Sequence, residues 1–193
     1  ANARLRGAII AAKAGNVPKD RIENAVAKGS GETSGENYEA MRYEGYGSAG
    51  VAFIVEALTD NRNRTASSIR AIFNKHGGAL AETGSVSFMF EHVGHISFAE
   101  EIASADEIFE VAVDLAADSV ETEEGSHNIT CAVENFANLR DGLIAKYGDP
   151  ESASLIWLAK NTVELSTDKQ DNIQKLIDAL EDDDDVQNVY CNI

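Results

Sequence analysis

Across 193 residues Asp and Glu outnumber Lys and Arg by 33 to 16, for a net charge of −17, while 44% of the side chains are hydrophobic. This composition argues against wholesale disorder, no apolar run approaches the roughly 20 residues needed to cross a bilayer, and the length suits two or three compact units of a soluble protein. Cys131 and Cys191 are far apart with no CxxC or Cys/His cluster, so neither a zinc site nor a disulfide framework is expected, and a reducing compartment fits best.

In chain order, Leu5, Ala8, Ile9 and Ala12 predict a short amphipathic helix over residues 3–14, with Gly15 as its left-handed cap. Pro18 opens a second helix, with Ile22, Ala25 and Val26 on one face and Gly29 as its stop. Two helices this short bury too little to stand alone, and Ser30 to Asn37 reads as the linker that follows them. The run VAFIVEAL, Val51 to Leu58, reads as a buried strand. A helix from about Arg62 to His76 carries the stripe Ala66, Ile69, Ile72 and Phe73, and Gly77-Gly78 ends it. Val86, Phe88 and Phe90 alternate as a strand with one buried face.

Residues 93–160 spell β-α-β-β-α-β, the ferredoxin-like order: strands at His95 to Phe98, Ser119 to Glu123, Asn128 to Glu134 and Ser154 to Ala159, with helices carrying Ile108, Val111, Ala112, Leu115 and Phe136, Leu139, Leu143, Ile144. Thr162 to Leu165, the helix of Ile173, Leu176, Ile177 and Leu180, and Val186 to Cys191 read as a further β-α-β. The expected fold class is α+β: an N-terminal helical domain (1–37), a discontinuous α+β domain (38–92 with 161–193), and an acidic ferredoxin-like domain (93–160) inserted in the second.

Charge divides along these lines. Residues 1–37 carry six Lys/Arg against four Asp/Glu, residues 38–92 five against six, and residues 93–193 five against 23. An acidic surface repels phosphate within a Debye length of about 8 Å, so any nucleic-acid contact belongs to the first 92 residues. The candidates are Arg4, Arg6, Lys13, Lys19, Arg21 and Lys28 on the basic helices, Arg62 and Arg64 at a helix start, and Lys75 at its end. Within Asp60-Asn61-Arg62-Asn63-Arg64-Thr65, Asp60 or Asn63 could cap the helix while the arginines pair with acids; the same forks suit phosphate, and both uses stay open.

Other motifs point away from catalysis. Gly45 to Gly50, GYGSAG, matches a dinucleotide fingerprint by letter, but its glycines precede a strand and not a helix, so a hairpin or loop is expected. His76 reads as a helix-end cap, and Glu181 to Asp185 as a solvated turn without the ligand spacing of a calcium loop. With no GxSxG, HExxH or Cys/His/Asp signature, no catalytic residue, metal or cofactor is expected.

Several long stretches in order carry a resemblance: RLR at Arg4, PKDRIENA at Pro18, YEGYG at Tyr43, LTDNRNRT at Leu58, FNKHGGAL at Phe73, GSVSFMF at Gly84 and LEDDDDVQNVY at Leu180. They resemble the YebC/PmpR family, which includes mitochondrial translational activators of cytochrome c oxidase. The resemblance implies a helical first domain and two α+β domains, the third inserted in the second. It also implies a regulator of gene expression, either a DNA-binding transcriptional regulator or a ribosome-associated translation factor. The partners expected are DNA or RNA and the ribosome, not a membrane. The compartment expected is the cytoplasm, or the mitochondrial matrix if a targeting peptide preceded residue 1. The chain departs from the family pattern in lacking a lysine-rich segment before Asn2, in Ala3 for a usual proline, and in Ser48-Ala49 for a usual Pro-Gly. Two other classes stand beside this reading, an acidic adaptor that binds only proteins and a small-molecule hydrolase.

Overall fold

A computed structural model describes residues 3–27, 29 and 38–193; the linker read at Ser30 to Asn37 lies outside them. The fold is α+β, and the chain divides into two compact units, one grouping the N-terminal helices with His92–Ile156 and the other grouping the residues up to Glu91 with Trp157–Ile193.

In the first unit, α1 (Ala3–Ala14) and α2 (Lys19–Ala27) precede the second half of β4 (Phe90–Ala99), then α4 (Ala105–Asp114), β5 (Ser119–Glu123), β6 (Ser126–Ala132), α5 (Phe136–Tyr147) and most of β7 (Ser152–Ala159). The sheet order β5-β6-β4-β7 for a β-α-β-β-α-β chain is the ferredoxin-like arrangement. Register places Ile96 opposite Ile129 and Gly94 opposite Cys131, so one face presents an apolar row. Ile108 and Ala112 of α4 and Phe136, Leu139 and Leu143 of α5 close over it, and Ile10 of α1 joins the same core. The turn after α1 differs from expectation: the left-handed residue is Asn16 (φ 55), not Gly15, and Val17 N–H closes back on the Ala12 carbonyl at 2.9 Å.

The second unit contains β1 (Glu39–Tyr46), β2 (Ala52–Thr59), α3 (Arg62–Lys75), β3 (Ala79–Leu80), α6 (Thr167–Glu181) and β8 (Val186–Cys191), with sheet order β3-β1-β2-β8. β2 is inner and covered on both faces, which is why its sequence is almost continuously apolar. Phe53 and Val55 meet Ile69 and Phe73 of α3 and Ile173, Leu176 and Leu180 of α6. Ala52 and Ile54 meet Val86, Phe90 and Trp157 on the opposite face. Phe53 and Phe73 pack edge to face at 5.7 Å, a geometry that favours aromatic pairs beyond simple burial. Gly78 is obligatory here, because a Cβ would lie 2.6 Å from the Tyr46 carbonyl oxygen.

Two expected strands are absent. Thr162 to Leu165 forms no strand and is held by Val163 N–H donating to the Asn192 carbonyl at 2.8 Å. The alternation at Val86 to Phe90 is broken by a 3-10 turn, Ser87–Met89, which buries Val86 and Phe90 and turns Phe88 outward.

GYGSAG forms the β1–β2 connection through a 3-10 turn at Ser48–Gly50, with Ala49 at φ 61 and ψ 15. This left-handed conformation costs an L-residue about 1–2 kcal/mol, partly offset because glycine is freer in the unfolded chain. Ala49→Gly is therefore expected to stabilise the protein by about 0.5–1 kcal/mol, read as a higher urea midpoint at unchanged slope.

Candidate nucleic-acid interface

The start of α3 is a polar knot built from side chains distant in sequence. The cap is Asn61, not Asp60 or Asn63: its side chain accepts from Arg64 N–H at 3.1 Å, and its own N–H donates to the Thr59 hydroxyl at 2.9 Å. The Thr65 hydroxyl lies 2.8 Å from that of Thr59 and donates to Asp185 at 2.6 Å. Arg64 reaches Asp60 at 2.9 Å and both oxygens of Asp185 at 2.9 Å. The Thr65 hydroxyl first, and then the Arg64 guanidinium, hold the Asp185 carboxyl below the usual carboxylate range. Arg62 lies 3.6 Å from Glu39.

The acidic run is thus not wholly a solvated turn. Asp183 accepts from the Ser68 hydroxyl and Asp185 from the residues above, while Asp182 and Asp184 stay exposed. The positive end of α3, which would attract an anion, is already met by the protein's own carboxylates.

The cations of the N-terminal helices divide in the same way. Arg6 donates to both oxygens of Asp141 at 2.8 Å, and Lys13 to Asp149 at 3.0 Å. Burial works to raise the Asp141 carboxyl, but the hydrogen bonds from Arg140 and Arg6 outweigh it and hold the group low. Lys19 lies 3.6 Å from Glu23 with 89% of its side chain exposed, a pairing worth little in water. The side chain of Arg4, and Lys28, lie outside the described residues. Among the described residues, exposed Arg21 and Lys75 have no ion-pair partner, and neither has Arg70 on the outer side of α3. The sequence reading did not nominate Arg70; the α3 stripe, which buries Ile69 and Phe73, would have placed it outward.

Cys131 and His127 are otherwise occupied, whereas the buried ring Nε2 of His76 has no hydrogen bond among the described residues. Burial pushes the Cys131 thiol up to about 11, which leaves it protonated at neutral pH. His127 is buried with one ring nitrogen 2.7 Å from the Thr122 hydroxyl and the other about the same reach from two carbonyls, Glu100 at 3.1 Å and Ala103 at 3.0 Å. His76 is the C-cap of α3 through its backbone, and its carbonyl accepts from Asn172 at 3.2 Å. Among the described residues no group of three or more His, Cys, Asp or Glu side chains is placed to hold a metal, and no helix is long and apolar enough to cross a membrane.

A family model described as the TACO1/YebC second and third domain matches residues 38–193. The chain belongs to the TACO1/YebC family. TACO1/YebC proteins are of the transcriptional-regulator type, and the match covers the α3 knot and both sheets. A solved structure extends the likeness to α1 and α2: the crystal structure of a conserved hypothetical protein, Aq1575, from Aquifex aeolicus is 41% identical, covers 99% of this chain and 79% of its own, and superposes with a TM-score of 0.87.

Proposed function

We propose that this TACO1/YebC chain is a non-enzymatic regulator of gene expression that holds DNA or RNA through cations of α1–α2 and the outer side of α3. The observation that carries the reading is that, on α2 and the outer side of α3, Arg21, Arg70 and Lys75 are exposed and have no carboxylate partner among the described residues. Each can release a counterion on meeting a phosphate without first breaking an internal contact. Arg6, Lys13, Lys19, Arg62 and Arg64 are second-rank contacts, since each must exchange a carboxylate for the ligand. The exposed pairs, of Arg6, Lys13, Lys19 and Arg62, cost about 0–1 kcal/mol to exchange, and Arg64, held by the half-buried Asp185, costs more. Transcriptional regulation and ribosome-associated translational activation share this chemistry; co-sedimentation with ribosomes, with and without nuclease, separates them.

The test is charge reversal at the unpaired positions. Arg21→Glu, Arg70→Glu and Lys75→Glu together are expected to leave the thermal melt nearly unchanged and to flatten the dependence of log affinity on log salt by up to about 3 for duplex DNA, near one phosphate per cation. Unchanged affinity and slope would remove the reading. Reversing Arg64 instead confounds folding with binding, because a glutamate there would face Asp60 and Asp185.

A second reading, an acidic protein-binding adaptor, is favoured by the outer side of α4. Phe109 and Val113, one helical turn apart, are 52% and 48% exposed, and the carboxylates of Asp106 and Glu110 beside them have no ion-pair partner among the described residues. Binding that survives nuclease and weakens when these acids are neutralised is the result that would favour the adaptor.

A further inference from the structure

Phe88 is the most exposed large apolar side chain among the described residues, at 67%, yet it stands on a tightly held turn. Val86 and Phe90 on either side are buried at 0% and 3%. The buried carboxylate of Glu44 accepts from the N–H groups of Val86 at 2.8 Å and Ser87 at 3.0 Å. The Tyr46 hydroxyl donates to the Ser85 carbonyl at 2.8 Å. Lys160 completes the frame, its backbone N–H donating to the Met89 carbonyl at 3.0 Å and its ammonium to the Phe88 carbonyl at 3.3 Å.

Strict alternation would have turned Phe88 to the same side as its buried neighbours, and the 3-10 turn undoes that parity. Exposing a phenyl ring to water forgoes its burial free energy, and pinning the backbone below it lowers the ordering cost when something meets the ring. A protein-docking anchor usually sits at the centre of an apolar patch; the neighbour supplied here is a cation. An aromatic ring beside a lysine is the equipment of a contact with a single-stranded nucleic acid: the ring stacks on any base, since every base has a π-face, and the ammonium keeps donors for the adjoining phosphate.

We propose that Phe88 stacks on an unpaired nucleobase while Lys160, beyond the first 92 residues to which the charge balance confined such contacts but brought beside Phe88 by the fold, holds the neighbouring phosphate. The inference rests on the nucleic-acid reading above and narrows its ligand to unpaired segments, because a base inside a duplex has both faces covered.

Fluorescence anisotropy on the full chain tests it with three labelled probes: a short unpaired RNA oligomer, a duplex of the same length, and an oligomer of abasic nucleotides. Phe88→Ala is expected to weaken the unpaired oligomer about 5- to 150-fold, to leave the duplex and abasic probes unchanged, and to keep the wild-type melt, since the ring is largely outside the core. Phe88→Trp is expected to retain or improve binding of the unpaired oligomer. The proposal is overturned if Phe88→Ala binds the unpaired oligomer like the wild type, if it loses the abasic probe equally, or if Phe88→Leu keeps full affinity for the unpaired oligomer, since leucine has no π-face to stack on a base. Wild-type protein that binds none of the three probes overturns the nucleic-acid reading itself, and this inference with it.

Discussion

Glu44→Ala is expected to destabilise the second unit by about 3 kcal/mol. The wild-type side chain is fully buried, its Oε2 serves two backbone N–H groups, and Arg42 lies 3.7 Å from Oε1, which has no hydrogen bond among the described residues. Truncation leaves the Val86 and Ser87 N–H groups without their acceptor and opens a space under the turn. Urea unfolding reads the loss, and hydrogen exchange at Val86 and Ser87 should accelerate more than at β2. Glu44→Gln keeps one acceptor oxygen and should cost about 1–2 kcal/mol.

The charge also gives this site a pH dependence with a definite sign. Burial acts to raise the Glu44 carboxyl, but hydrogen bonds from the Val86, Gly84 and Ser87 backbones, with Arg42, hold it below its ordinary value. A depressed carboxyl adds stability above its unfolded pKa, about 4.3, and that contribution is lost as pH falls through the folded value. The wild type should therefore lose stability below about pH 4.3, and Glu44→Gln should lose less over the same range. Equal acid slopes for the two proteins would show that Glu44 is not the group titrating.

The second large effect is at Asp185. Asp185→Ala removes the acceptor shared by Thr65, Thr59 and Arg64 and is expected to cost about 2 kcal/mol. The loss should concentrate in faster exchange through the first turn of α3, while the backbone bond from Leu58 N–H at the end of β2 to the Asp185 carbonyl, 2.8 Å, remains in place. The same substitution leaves Arg64 with Asp60 alone, so on the proposed function it should raise nucleic-acid affinity while lowering stability. Opposite signs in the two measurements distinguish a competing internal anion from a plain structural brace; a fall in both would make Asp185 a brace for the binding surface, and unchanged affinity would mean that Arg64 has no part in binding.

What the sequence made legible was local. Helical stripes located α3, α4, α5 and α6, the nearly continuous apolar run located β2, and short runs between turns and helices located β5, β6 and β8 within a few residues, because each rests on a pattern a few positions long. β1 escaped because its sequence, EAMRYEGY, mixes charge and glycine where one face is only partly covered. β3 is two residues long and has no period to detect. The 3-10 turn at Ser87–Met89 was hidden because Val86, Phe88 and Phe90 satisfy alternation by letter; the determinant is Glu44, 42 residues earlier. The cationic candidates were readable as residues, but not their engagement. Arg64 meets Asp185 across 121 positions and Arg6 meets Asp141 across 135, and no composition rule ranks such pairs over water. Arg62 and Arg64, prominent in the sequence, are thereby the more committed cations, and the plainer Arg70 the freer one.

The placement of β8 has a consequence for how the protein is made. β2 lies between β1, which precedes it, and β8, which begins at Val186. At synthesis rates of roughly 5–20 residues per second, a growing chain carries β2 with one bare edge for roughly 7–26 s before Cys191 has emerged. That edge belongs to a strand apolar on both sides, the sort of template that recruits other nascent chains. Premature termination anywhere in α6 or β8 would make this exposure permanent, so truncated products should be cleared or aggregate instead of persisting as a folded first unit with a harmless tail.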